Sequence, residues 1–207
     1  MTRENAALIG GVALLERAIN YTLGSLRVVT PAAMSLPTPC RGWNLRTLLR
    51  HVDDSFAALH EAIDFGAIDF GAIDFGAVDF GRVGLDPAGP PDEAADPVTA
   101  LRNRASRLLG SWTNAGGDDL LRIGGLPLTA SIVTSTGAIE VAVHGWDIAR
   151  ACGHRRSLPG PLAEEMLQLA RLLVTDADRP ARFASPVEVP ALASPGDRLI
   201  AFLGRHP

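Results

Sequence analysis

Apolar residues in this chain recur mostly at three- and four-residue steps, the period of one face of an α-helix. Leu8, Val12, Leu15, Ile19 and Leu23 predict a long amphipathic helix over residues 2–29. Pro31, Pro37 and Pro39 then predict a loop over residues 30–41. Leu45, Leu48, Leu49, Val52, Phe56 and Leu59 mark the apolar side of a second helix, over residues 43–62. A third follows over 98–112, with Pro97 near its start. Leu120, Leu121, Ile123 and the pair Gly124-Gly125 predict a strand or hairpin-like connector over 118–128. The fourth helix covers 129–152 and ends at Gly153, which reads as its C-terminal cap. A fifth covers 161–176. The proline-spaced stretch 180–207 holds an extended run at 187–189 and a short closing helix at 195–203.

One segment breaks this rhythm. Residues 62–81 repeat Ala-Ile-Asp-Phe-Gly three times and then give Ala-Val-Asp-Phe-Gly. A period of five matches neither helix nor strand, and the recurring glycine weakens both. Four units would make only about one coil of a pentapeptide solenoid, and stacked-repeat folds need at least about three repeats. The repeat is therefore expected to be a loop grafted onto the end of the second helix. Its four phenylalanines would form a sticky patch if exposed, so self-association, as a homodimer, is the corresponding expectation.

The sum is an all-α chain with two pairs of long helices, best arranged as an up-and-down four-helix bundle. Its 207 residues and 47% hydrophobic content suit one sizeable core. The expected layout is a single domain over 1–207, with 62–97 as an insertion and 180–207 as a C-terminal extension. A net charge of −4 gives no nucleic-acid footprint. All the basic residues are arginine, so neither a lysine Schiff base nor a lysine general base operates here. Cys40 and Cys152 do not make a disulfide framework. Without a convincing signal peptide or an 18-residue apolar run, the expected location is cytoplasmic, with no membrane partner.

The chemistry concentrates in the fourth helix. Glu140 and His144 lie four residues apart, which makes them neighbours on one helical face. At about 100° per residue, Asp147 falls within roughly 60° of both. That face also carries Ile132, Thr136 and Ile148. Ionisable groups on an apolar stripe are costly to bury unless paired or bound to metal. A carboxylate and an imidazole at this spacing can close on one divalent ion, whereas a catalytic zinc site takes three protein ligands and keeps a fourth position open. His51 is the third ligand by elimination. His60 points to the opposite side of its helix, His154 is flanked by Arg155 and Arg156, and His206 is in the tail. Asp53 and Asp54 either orient His51 or are solvated. Asp147 is a hydrogen-bonding neighbour of the ligands, a local proton acceptor, or a buried polar clamp. Cys40, in a Pro-Thr-Pro-Cys loop, reads as a buried structural thiol, and Trp43 and Trp146 as packing residues.

Two segments carry a resemblance. Leu36-Pro-Thr-Pro-Cys-Arg-Gly-Trp-Asn-Leu-Arg-Thr-Leu-Leu-Arg-His51 and Glu140-Val-Ala-Val-His-Gly-Trp-Asp147-Ile-Ala-Arg together resemble the DinB-like metal-binding superfamily. More narrowly, they resemble the branch of mycothiol-dependent maleylpyruvate isomerase and its single-domain actinobacterial relatives. The segment 197–207 is also similar to the closing segment of those relatives, and the likeness covers nearly everything except the pentapeptide insert. It implies an up-and-down four-helix bundle and a divalent metal, zinc above all, held by His51, Glu140 and His144. Many DinB-like relatives place histidine where Glu140 stands; the isomerase branch places glutamate. The isomerase also has a larger second domain contributing to its active site. This sequence leaves room only for a short tail, so that particular activity is not expected.

The implied function is metal-dependent activation of a low-molecular-weight thiol, mycothiol by resemblance. A transferase or isomerase would direct it at an electrophilic small molecule, with Asp147 as the catalytic helper. Two alternatives use the same residues: a hydrolase with metal-activated water, and a non-catalytic metal-binding or partner-binding module.

Overall fold

The computed structural model describes the backbone of residues 3–65, 67–68, 96–112, 120–123, 126–179 and 183–207. Four long helices make the body: α1 (Arg3–Ser25), α2 (Leu45–Phe65), α3 (Pro97–Trp112) and α4 (Ala130–Ala151). α1 packs along α4, α2 packs along α3, and α2 also meets α4. Two shorter helices, α5 (Gly160–Leu173) and α6 (Pro195–Phe202), pack on one another, and α5 touches α4. The all-α bundle is as expected.

A small sheet accompanies the helices. β2 (Leu120–Ile123) and β3 (Leu126–Thr129) form the antiparallel hairpin expected over 118–128, pairing Leu120 with Thr129 and Ile123 with Leu126. β1 (Ala67–Ile68) adds a parallel edge, with Ala67 opposite Arg122. The repeat is thus not all loop at its start. Its first unit continues α2 to Phe65, because Ala-Ile-Asp-Phe is free of glycine until Gly66. Residues 69–81 of the repeat lie outside the described residues.

Local chemistry explains the helix ends. α2 begins at Leu45, two residues later than the periodicity suggests, because the Asn44 side chain caps it and accepts from the Thr47 N–H at 2.9 Å. α1 stops at Ser25 and passes into a 3-10 turn, Leu26–Val28. α5 stops at Leu173, short of 176, because Thr175 opens a new turn capped by Asp178. α4 closes as expected at Gly153, whose φ is +78°. There the His154 N–H bonds to the Ala149 carbonyl and the Gly153 N–H to that of Arg150, which is a Schellman motif. α6 ends in the same way at Gly204 (φ +80°), with the Arg205 N–H on the Ile200 carbonyl and the Gly204 N–H on that of Ala201.

α4 is the central helix. From Gly137 to Ala149 every residue but Glu140 is buried, so it is enclosed on all sides rather than on one stripe. Ile132, expected on the inward stripe, is 40% exposed. In that first turn the buried positions are Ala130, Val133 and Thr134, the last set against Gly11 of α1. Further along, Gly145 lets α1 approach closely, since a side chain there would strike Thr22, whose hydroxyl donates to the Val141 carbonyl at 2.7 Å. This fixes α4 on α1 at the level of His144. Among the described residues no helix is long and apolar enough to cross a membrane.

Candidate metal centre

α2 and α4 cross where their polar residues meet. His51 Nε2 lies 2.6 Å from Glu140 Oε1, and His144 Nε2 lies 3.0 Å from the same oxygen. One donor atom from each of the three residues fits within 4.8 Å of the others. The two imidazole rings meet edge-on, with centroids 4.9 Å apart. The structure therefore brings together the three residues singled out for metal binding.

The donor set suits a divalent cation, and one observation tests the fit. His144 Nε2 is buried and makes no hydrogen bond among the described residues beyond its ion-pair contact with Glu140 Oε1 at 3.0 Å. An unsatisfied buried ring nitrogen is costly. Two imidazole nitrogens and a carboxylate oxygen are also the ligand types zinc takes. Ligands about 2.0–2.1 Å from a tetrahedral zinc ion stand roughly 3.3 Å apart, so only small side-chain adjustments separate this cluster from a coordinating one.

Charge reinforces the arrangement. Burial drives the Glu140 carboxyl upward, but the facing imidazoles outweigh it and hold the group well below the ordinary carboxylate range. Burial drives His144 downward, yet the Glu140 carboxylate, with Cys40 and Asp147, pulls it well above its ordinary value. The cluster thus favours an ionised carboxylate facing a positive charge.

Behind His144 lies a second layer. Its Nδ1 is 3.0 Å from Asp147 Oδ2, and Asp147 is fully buried. The Arg205 guanidinium grips Asp147 with both prongs: Nε is 2.9 Å from Oδ1 and Nη2 is 2.8 Å from Oδ2. Burial raises the Asp147 carboxyl, and Arg205 chiefly reverses this, so the group stays below its usual range. Cys40 Sγ completes the layer, 3.3 Å from Asp147 Oδ2 and 3.7 Å from His144 Nδ1. Cys40, His144 and Asp147 also have donor atoms close enough for a metal ion. There, however, Arg205 already supplies the cation, so the outer triad is the better site.

The loop before α2 delivers two of these neighbours. Gly42, at φ +81°, allows the tight turn closed by the Trp43 N–H on the Cys40 carbonyl at 3.0 Å. That turn sets Cys40 inward and places the half-buried Trp43 ring 4.8 Å from His51 and 6.5 Å from His144, centroid to centroid. Trp43 is therefore beside both histidines, not only in the packing. Trp146 is buried, with Arg150 over its ring.

The other sequence candidates fall elsewhere. Asp53 is held by Arg104 at 2.7 Å, and Asp54 makes no hydrogen bond to His51 among the described residues. His60 lies 3.1 Å from Ser111 of α3, away from the triad. Arg205 is the functional neighbour that sequence patterns do not single out. The signal for it was a buried aspartate in need of a cation, in a chain where only arginine can supply one.

A helical bundle with a His, Glu, His cluster between two facing helices defines a class of metal-binding helical-bundle proteins. The chain belongs to the mycothiol maleylpyruvate isomerase N-terminal domain family, whose model matches residues 15–149. It is 29% identical over 171 residues to two uncharacterized proteins of Mycobacterium tuberculosis, MT0763 of strain CDC 1551 and Rv0738 of strain H37Rv. The alignment covers 82% of this chain and 83% of each relative. No solved structure matches the chain significantly. His51, Glu140, His144 and Asp147 all lie inside the matched span, and Arg205 lies outside it.

Proposed function

We propose that this protein is a metal-dependent enzyme that activates a low-molecular-weight thiol, of the mycothiol type, for attack on an electrophilic small molecule. The observation that carries this reading is the convergence of His51 Nε2, Glu140 Oε1 and the buried His144 Nε2, which makes no hydrogen bond among the described residues beyond its contact with Glu140. Family membership supplies the thiol. His51, Glu140 and His144 would hold the ion, and zinc is the best match to two imidazoles and one carboxylate.

A divalent ion held by His51, Glu140 and His144 would supply the charge that favours a thiol's ionised, nucleophilic form. The chain's own residues do the rest. Asp147 accepts from His144 Nδ1 and so leaves Nε2 as the ligating nitrogen. Trp43 forms an apolar wall beside the two histidines. Glu140 and His51 are 13% and 8% exposed at their side chains, whereas His144 is 2% and Asp147 0%, so a ligand approaches from the His51–Glu140 side. In the overall step the thiol loses its proton and a carbon–sulfur bond forms. At a halogenated carbon the halide leaves and the thiol proton passes to solvent; at an unsaturated acceptor the neighbouring carbon, not the one bonded to sulfur, takes up the proton. Asp147 faces away from that opening and acts on His144, not on substrate.

The test is a thiol-consumption assay with mycothiol and an electrophilic acceptor, using zinc-loaded wild type and His144→Ala. Wild type should consume thiol and acceptor one for one while the variant stays at background. Acceptor hydrolysis that runs equally well with no thiol present would contradict the proposal and favour activated water at the same centre.

A further inference from the structure

The side chain of Arg205 reaches back from the segment after α6 into the layer behind His144, with only 13% of it exposed. Its placement is built, not incidental. Gly204 adopts a left-handed φ of +80° and lies so close to the Ala184 carbonyl that a side chain would collide with it. The resulting Schellman turn anchors the Arg205 N–H on Ile200 at 3.1 Å and aims the guanidinium at Asp147. Both Asp147 oxygens are then occupied, the geometry in which arginine fixes a carboxylate's plane as well as its charge. Asp147 Oδ2 in turn faces His144 Nδ1 at 3.0 Å.

We propose that Arg205 is a positioning residue for the metal ligand His144, acting through Asp147, so that the segment after α6 completes a centre otherwise built by α2 and α4. The inference rests on the metal-binding reading above. A ligating histidine is held in tautomer and ring orientation by the acceptor on its other nitrogen. That acceptor is itself only as fixed as its own partners. Without Arg205, Asp147 would be a fully buried carboxylate held at Oδ2 by Cys40 and His144 alone, with nothing among the described residues on Oδ1 to fix its plane, and the brace on the His144 ring would loosen. Arg205 lies outside the family-matched span of residues 15–149.

The experiment measures zinc affinity by competition with a chromophoric chelator, and the His144 ring protons by NMR, for wild type, Arg205→Gln, Arg205→Lys and Arg179→Gln. Arg179 is the control for a loosened tail: it holds the Phe202 and Ala184 carbonyls and does not touch Asp147. Arg205→Gln should weaken zinc binding by roughly 10- to 100-fold, the usual effect of removing an outer partner of a metal ligand. Arg205→Lys, which keeps the charge but not the fork, should fall between. Arg179→Gln should bind like wild type. In the metal-free proteins a slowly exchanging Nδ1 proton on His144 should be present in wild type and lost in Arg205→Gln. Unchanged affinity and an intact Nδ1 proton in a folded Arg205→Gln or Arg205→Lys protein would overturn the proposal. So would equal weakening by Arg179→Gln. A wild type that binds no zinc but shows the Arg205-dependent Nδ1 proton would overturn the metal reading and leave the bracing role standing.

Discussion

Glu140 Oε1 lies 2.6 Å from His51 Nε2, and this contact joins α4 to α2 at the candidate centre. With His144 Nε2 3.0 Å from the same oxygen, three donors converge on one small volume. In the absence of metal the cluster is an ion pair, and its pH behaviour follows from the two opposed shifts.

Glu140 is held low, so its contribution is present above an unfolded value of about 4.3 and is lost as pH falls through the folded value. His144 is held high, so its contribution is complete below an unfolded value of about 6.5 and is lost as pH rises through its raised folded value. The pair should therefore stabilise the metal-free protein most between about pH 4.3 and 6.5. Thermal midpoints in chelator, for wild type and Glu140→Gln, check this. The difference should be largest in that window and shrink on both sides. A pH-independent difference would contradict the pairing.

Cys40 is 7% exposed and lies behind His144, on the Asp147 side. It is placed as a packing and hydrogen-bonding group, not as a nucleophile. Cys40→Ala should lower stability by about 1–2 kcal/mol, or a few degrees in thermal midpoint. Zinc stoichiometry and thiol consumption should survive within a few-fold. Abolished activity with zinc still bound would assign the thiol a direct part.

Gly204 allows the turn that delivers Arg205. Gly204→Ala forces a left-handed φ on a residue with a side chain, at about 1–2 kcal/mol, and drives that side chain at Ala184. The thermal midpoint should fall by several degrees, and zinc affinity should drop in parallel with Arg205→Gln. A stability loss without any loss of affinity would separate the turn from the centre.

Much of this was legible in the sequence, for identifiable reasons. Glu140 and His144 show as a pair because helical spacing makes i and i+4 neighbours. His51 stands out because the other histidines are on the wrong face, beside arginines, or in the tail. Gly153 marked a helix end because glycine takes the left-handed cap conformation without a side-chain penalty. Arg205 was hidden because its link to Asp147 spans 58 positions and depends on the turn at Gly204. The pairing of Ala67 with Arg122 was hidden too, since a five-residue period suggests no strand and the partner is far along the chain. The outward placement of Ile132 followed from which side of α4 meets α1, a tertiary fact that local periodicity does not carry.

The repeat offers a separable prediction. Deleting residues 69–81 spares the residues of α2 and β1 and removes three of the repeat's four phenylalanines. Sedimentation should show reduced self-association, with zinc stoichiometry and thiol consumption unchanged. Loss of zinc on deletion would place the repeat in the centre's framework.

The central claim is that His51, Glu140 and His144 form one metal site. Elemental analysis after zinc loading and gel filtration tests it most directly, comparing wild type with His51→Ala and His144→Ala. The account predicts close to one zinc per wild-type chain and a small fraction of that in each variant, with helical content retained. A folded wild type that emerges without metal, or a His144→Ala protein that keeps a full equivalent, would contradict it.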